Sequence, residues 1–375
     1  MSLEGTIMKR FVITLLFVFL MLASVVAAEQ YTIDFSTTPE QITARDNPFA
    51  HYEDLGALPQ LTVAVMDSSG MAAEDVTITA TVTHVDNLIL PSGFPWVQGK
   101  ELFSVTSYEE DGILIVDGLL FPLRGDYTVD VTVLDGAGVS QTAQYTVTAA
   151  EPFSQSTLNG IIFVSVLVIF GFIVGLVFGK DLLAKKAQGR MFGLFMIAVV
   201  LAVPFALAHT MEEFEESGAV HFEDEQVVFY TNPEVPDIGT KTYFYLDVKD
   251  ENGMPIDNAV AHIELANEEE GFVVLDTIVS SQTGLFSFQY GIFDGAPHLA
   301  TITISPTESS SSQFAPLERE YPFAGEAHSP PITAKLIATL VMLCAMLVGF
   351  GAGVCVRRMN TKGCADGTCS GDHNE

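Results

Sequence analysis

The chain has 375 residues, a formal net charge of −31 and only 16 Lys and Arg against 47 Asp and Glu, with 49% hydrophobic residues. So acidic a molecule repels nucleic-acid phosphates and anionic lipid head groups, which excludes nucleic-acid binding and leaves cations or basic proteins as charge-matched partners. The length suits two or three domains, each large enough to bury a core of its own.

Residues 1–28 read as a secretory signal peptide, with an uncleaved anchor as the alternative. Lys9 and Arg10 precede the apolar run Phe11 to Val26, and small residues lead to Glu29, the expected mature N-terminus. Residues 29–158 follow with 19 acids and 3 bases. Short Val/Thr-rich runs alternate in them, and turn residues stand between, the pattern of an antiparallel β-sandwich. Leu61, Val63 and Val65 face one way; after the turn Asp67-Ser68-Ser69-Gly70, Ile78, Ala80 and Val82 do the same, and later Tyr127, Val129, Val131 and Val133. Pro91 to Trp96 forms a Pro/Gly-rich loop holding the only tryptophan, and Trp96 is a candidate partner anchor, with packing over the sandwich end as the alternative.

The next 48 residues divide the chain. Ile161 to Gly179 carries no ionisable side chain over 19 residues, enough at about 1.5 Å per residue to cross roughly 30 Å of hydrocarbon. Residues 180–190 are basic, with Lys180, Lys185, Lys186 and Arg190 against Asp181, and Met191 to Ala208 is a second apolar run. By the positive-inside rule the loop is cytoplasmic and both flanks lie outside.

Residues 209–330, with 23 acids and 3 bases, repeat the first module. A shift of 183 places Asp67-x-x-Gly70-Met71 on Asp250-x-x-Gly253-Met254, Leu61, Val63 and Val65 on Phe244, Leu246 and Val248, and Ile78, Ala80 and Val82 on Ala261, Ile263 and Leu265. A shift of 171 places Val129, Val131 and Val133 on Ala300, Ile302 and Ile304, so the first module holds a 12-residue excess, expected within residues 84–104. Preserved strand phase around the turn indicates duplication of a sandwich-plus-anchor unit. A third span is expected over residues 336–356, with Arg357 and Arg358 opening a cytoplasmic tail over 357–375. The expected class is a membrane protein with all-β ectodomains, two antiparallel β-sandwiches and three membrane spans, on the cell membrane with both large domains extracytoplasmic.

Small residues recur every fourth position in the spans: Gly171, Gly175 and Gly179; Ala198, Ala202 and Ala206; Gly349 and Gly353. Such stripes let helix backbones approach, so the spans are expected to pack together or on another subunit. His209 and Met211, where the second span emerges, and His221 just after offer imidazole and thioether donors suited to copper. The tail residues Cys364, Cys369 and His373 give three donors where structural zinc takes four. Asp247, Asp250 and Asn252 lack the alternating ligands and distal Glu of a calcium loop, and a turn accounts for them. No G-x-S-x-G, H-E-x-x-H or phosphate-binding glycine loop occurs.

The stretch Asn252 to Ala261, preceded by Pro236 to Gly239 and Phe244 to Val248, resembles the immunoglobulin-like β-sandwich modules of bacterial envelope proteins, including the YtkA-like type. The resemblance covers about 90 residues of the second module and implies a fold rather than a role. The order sandwich, two spans, sandwich is also similar to the B subunit of copper membrane monooxygenases. The chain departs from that pattern in its expected start at Glu29, its lack of H-x-H and its added span, so no copper site is carried over. The function expected is that of a non-enzymatic accessory or interaction subunit of a membrane assembly, without a cofactor, acting with a protein partner or as a homo-oligomer; the alternative is a copper-binding or copper-delivery accessory.

Overall fold

The computed structural model describes residues 30–45, 57–85, 98–150, 155–183, 219–224, 226–250, 252–269, 271–293, 295–311, 314–325 and 332–363. The first module comprises β1 (Tyr31–Thr38), β2 (Ile42–Thr43), β3 (Gln60–Asp67), β4 (Val76–His84), β5 (Glu101–Glu109), β6 (Ile113–Val116), β7 (Gly118–Leu119), β8 (Gly125–Asp135) and β9 (Ser140–Ala150), followed by helix α1 (Gln155–Leu183). The second comprises β10 (His221–Glu223), β11 (Val227–Asn232), β12 (Lys241–Val248), β13 (Ala259–Asn267), β14 (Phe272–Ser281), β15 (Leu285–Gly291), β16 (Pro297–Pro306) and β17 (Leu317–Ala324), followed by helix α2 (Ile332–Gly363).

Each module is a β-sandwich of a smaller and a larger antiparallel layer. In the first, β1-β3-β6 faces β5-β4-β8-β9; in the second, β11-β12-β15 faces β14-β13-β16-β17. Strand alternation sets the layers, because apolar residues at every second position must all turn inward. Leu61, Val63 and Val65 of β3 are buried, as are Val129, Val131 and Val133 of β8 and their counterparts in β12 and β16.

The duplication extends to register. Ile78 pairs with Val133 and Val82 with Val129; in the second module Ala261 pairs with Ile304 and Leu265 with Ala300. Both β4–β5 and β13–β14 slip register at the same point, between Val82 and Thr83 and between Leu265 and Ala266. Beyond that slip Thr83 pairs with Glu101 and Ala266 with Val273, so most of the first module's excess length falls between β4 and β5.

The turns after β3 and β12 also match. Asp67 Oδ1 accepts the N–H groups of Ser69 (2.8 Å) and Met71 (3.1 Å), and Asp250 Oδ1 accepts those of Asn252 (2.8 Å) and Met254 (2.9 Å). These are Asx turns, which account for the Asp and for Gly70 and Gly253 at positive φ. Each turn closes only a single bridge, Met66 with Ala72 or Lys249 with Pro255. The chain then crosses to the opposite layer through Asp75 or Asn258, both in the left-handed region.

The sequence predicts two folded modules, and one sheet runs through both of them. β15 pairs with β5 through Phe288–Val105, Gln289–Ser104 and Tyr290–Phe103, which joins the small layer of the second module to the large layer of the first. β7 pairs with β14 through Leu119–Leu275 and Gly118–Asp276, and Leu120 N–H donates to the Val274 carbonyl (3.0 Å), which adds a short strand of the first module to the edge of the second module's larger layer. The two seams are approximate counterparts, since β5 corresponds to β14 and β15 to β6 with β7. The modules are therefore related by a pseudo-twofold axis, and their buried residues form one contiguous core. Backbone pairing across the seams also covers edge strands that would otherwise present free N–H and C=O groups.

In each module the last strand is followed in sequence by a helix. The C-terminal ends of β9 and β17 thus mark the helix-proximal end of the β-body. Register puts Val76, Glu109 and Asp135, and the turns 67–71 and 250–254, at the opposite, distal end.

Candidate functional site

The features most able to serve a function are the helix pair and the seam above it. Within α1 and α2 the windows Gly160–Val177 and Thr339–Arg358 are apolar and long enough to cross a membrane. Ile161, Ile162, Phe163, Val166, Ile169 and Phe170 of α1, and Leu336, Leu340 and Val348 of α2, are exposed. An apolar surface of this kind suits hydrocarbon rather than water.

The helices pack on each other through glycine. A Cβ placed at Gly171 would fall on the Met346 carbonyl oxygen, and one at Gly175 on that of Phe350. Reciprocally, a Cβ at Gly349 would fall on the Val168 carbonyl and one at Gly353 on the Phe172 carbonyl. Contact positions rise together along both chains, so the helices run parallel, and the reciprocity repeats the pseudo-twofold of the β-body. Arg357 Nη1 donates to the Val177 carbonyl (2.7 Å) near the far end. Gly179 lies in α1 beyond this contact, while Ala198, Ala202 and Ala206 lie outside the described residues.

The seam carries polar ties that sequence pattern did not reveal. Ser280 N–H of β14 donates to Ser107 Oγ of β5 (2.8 Å), Lys241 of β12 is ion-paired with Glu101 of β5, and Ser309 Oγ donates to Glu110 Oε1 (2.5 Å). Arg45 of the first module stacks over the Phe272 ring of the second, 4.7 Å from its centroid. No local motif marks such pairs, because each partner lies more than 100 residues away in the chain.

Several titratable groups here are displaced from their ordinary values. Burial pushes the Glu109 carboxyl up to about 7, opposed by a hydrogen bond from Ser107 and assisted by the nearby Asp111. The bond to Asp75 (2.5 Å), with burial, pushes Tyr108 up to about 12. Asp67 is held below the usual carboxylate range, chiefly by the Ser69 hydroxyl and the Met71 N–H, and Asp250 chiefly by the Met254 N–H. Each shift has a structural cause in a turn or at the seam.

His209, Met211 and Trp96 lie outside the described residues, as do Cys364, Cys369 and His373. His221 lies exposed on β10, its Nε2 4.0 Å from Glu223. Among the described residues no group of three His, Cys, Asp or Glu side chains is arranged to hold a metal ion. His262, on the outward phase of β13, is paired with Asp276 of β14 at 2.6 Å.

The architecture defines a β-sandwich protein with two apolar helices that could be membrane spans. No family model matches the chain, and no curated protein matches it. Among solved structures, the PmoD soluble domain from a Methylocystis species is similar at 15% identity over 32% of this chain and 90% of that one, with a TM-score of 0.22. Invasin, described as a bacterial integrin-binding protein, is similar at 11% identity over 79% of this chain and 40% of its own, with a TM-score of 0.19. A tetra-tandem repeat from the extending region of a large adhesion protein shows 11% identity over 80% of this chain and 50% of its own, with a TM-score of 0.20.

Proposed function

We propose that the protein is a non-enzymatic, membrane-anchored accessory or interaction subunit that presents its paired β-sandwiches outside the cell membrane. The observation that carries this reading is the continuous nine-stranded sheet, which takes β10, β11, β12 and β15 from one module and β5, β4, β8, β9 and β2 from the other. Two modules sharing a sheet lie on one side of any membrane. If α1 crosses, the chain must recross before β10 begins at His221, and Met191–Ala208 is the run apolar and long enough to do so. The parallel course of α1 and α2 agrees, since both then leave the same body in the same direction. The signal-like segment 1–28 and the basic residues of 180–190 support an extracytoplasmic β-body and a cytoplasmic C-terminus.

An interaction role is supported by what the body is built for. Its strained and shifted groups serve turns and seams, while its charge and exposed tips face outward. Membrane-impermeant maleimide labelling tests the placement in a background lacking the native cysteines. Ser69→Cys and Asn252→Cys should both label in intact cells, and a cysteine restored at position 369 should label only after permeabilisation. Labelling of either turn only after permeabilisation would refute the topology. Purification from native membranes as a lone chain, with neither a second protein nor a second copy, would refute the subunit role.

A further inference from the structure

The distal end of the β-body repeats an unusual exposure. Met71 is 67% exposed and Met254 63% exposed, each at the tip of its Asx turn. Beside them, at equivalent positions opening β6 and β15, Ile113 is 37% and Leu285 52% exposed. The turn needs its Asp and Gly; nothing in its hydrogen bonding needs methionine. Two halves that differ at most surface positions have thus both kept an apolar side chain where folding gives no reason for one. Leu134 and Val139, flanking the β8–β9 turn, are exposed at the same end. Among the described residues of the β-body, the other exposed large hydrophobic side chains are Tyr243 and Ile278. Methionine is the side chain best able to adapt its shape to a partner.

Charge at this end is predominantly negative. Glu74, Asp75, Glu110, Asp111 and Glu308 are exposed there. Arg45, Lys100, Arg124 and Lys241 are all at the helix-proximal end, and Arg319 is bonded to Asp224 (2.6 Å). Lys249 is the remaining base described at the distal end, and it is paired with Asp247 at 3.3 Å. Apolar tips set in an acidic field match a partner of opposite charge with an apolar anchor, and repel anionic lipid.

We infer that the distal face is a two-lobed docking surface for a protein partner presenting an aromatic or aliphatic residue flanked by Lys or Arg, engaged by Met71 and Ile113 in one lobe and by Met254 and Leu285 in the other. This rests on the reading of the β-body as an exported interaction platform, and names the chemistry of its partner. The test uses the full chain in detergent with two synthetic peptides, Lys-Lys-Trp-Lys-Lys and Lys-Lys-Gly-Lys-Lys, read by fluorescence anisotropy against empty micelles. The tryptophan peptide should bind about tenfold tighter than its glycine control. The double variant Met71→Ser, Met254→Ser, whose melting should match the parent because both side chains are exposed, should bring the two peptides within about twofold of each other. Equal binding of the peptides to the parent, or a preference that survives in the double variant, overturns the inference. So does self-association of the parent that the double variant loses, which would make a second copy the occupant. Failure here leaves the labelling result, and hence the membrane placement, untouched.

Discussion

Glu109 closes β5 at the point where the first module meets the second, and its neighbour Ser107 takes the Ser280 N–H from across the seam. Burial raises its carboxyl to about 7, whereas in the unfolded chain it titrates near 4.3. Between these values the folded chain holds a proton that the unfolded chain has lost. Stability therefore falls as pH rises from about 4.5 to about 7 and is level above that. The expected loss is on the order of 2 kcal/mol, read from denaturant unfolding at about pH 5 and pH 8. Glu109→Gln, which keeps the neutral form's shape, should flatten this dependence and make the variant the more stable of the two at pH 8. Asp67 and Asp250 work with the opposite sign. Their lowered values give stability that is present above the ordinary carboxylate range and lost as pH falls below it. Sequence showed the two aspartates, because an Asx turn is local and leaves a motif; it did not show Glu109, whose burial depends on a distant strand.

At the scale of elements, glycines separate turns that only need a conformation from turns that also need space. Gly70 and Gly253 stand at φ +82° and +76° with nothing within 4 Å of an added Cβ. Gly112 and Gly284 stand at φ +70° and +74°, but an added Cβ would lie 2.5 Å from the Ala73 carbonyl oxygen and 2.6 Å from that of Ile256. Gly253→Ala should thus cost about 1 kcal/mol, the left-handed penalty alone, and Gly284→Ala about 2–4 kcal/mol, a contrast thermal melts can read. The helix pair obeys the same logic. Gly349→Ile forces a branched side chain into the Val168 carbonyl and should cost about 1–3 kcal/mol, whereas Gly351→Ile, with nothing near, should cost little. The strand faces at Leu61–Val65, Val76–Thr83 and Tyr127–Val133 were legible because alternation is a sequence property. β5 was not, since its register slip at Val82/Thr83 breaks the period; nor were the seams, whose backbone pairing is nearly indifferent to side chains.

The whole molecule behaves, on this geometry, as one body rather than two beads. Separating the modules would expose the edges of β5, β7, β14 and β15 and open buried Leu119, Leu120, Leu275 and Phe288 to water. The buried side chains alone are worth about 1.5–3 kcal/mol each, and the freed strand edges add to that. Either module left alone would therefore lose a large part of a typical domain stability of about 5–15 kcal/mol. Duplication was visible in sequence as a repeat, and a repeat by itself is compatible with independent units; the pseudo-twofold seam is what couples them. Calorimetry of the β-body should accordingly give a single transition. Val131→Ala removes volume from the first module's core and Ile302→Ala from the second's, each buried completely, and each should lower the one transition by about 2–4 kcal/mol without splitting it. If either substitution shifts only part of the heat signal and leaves the rest at its original temperature, the modules unfold separately and the seam is a contact rather than a shared core.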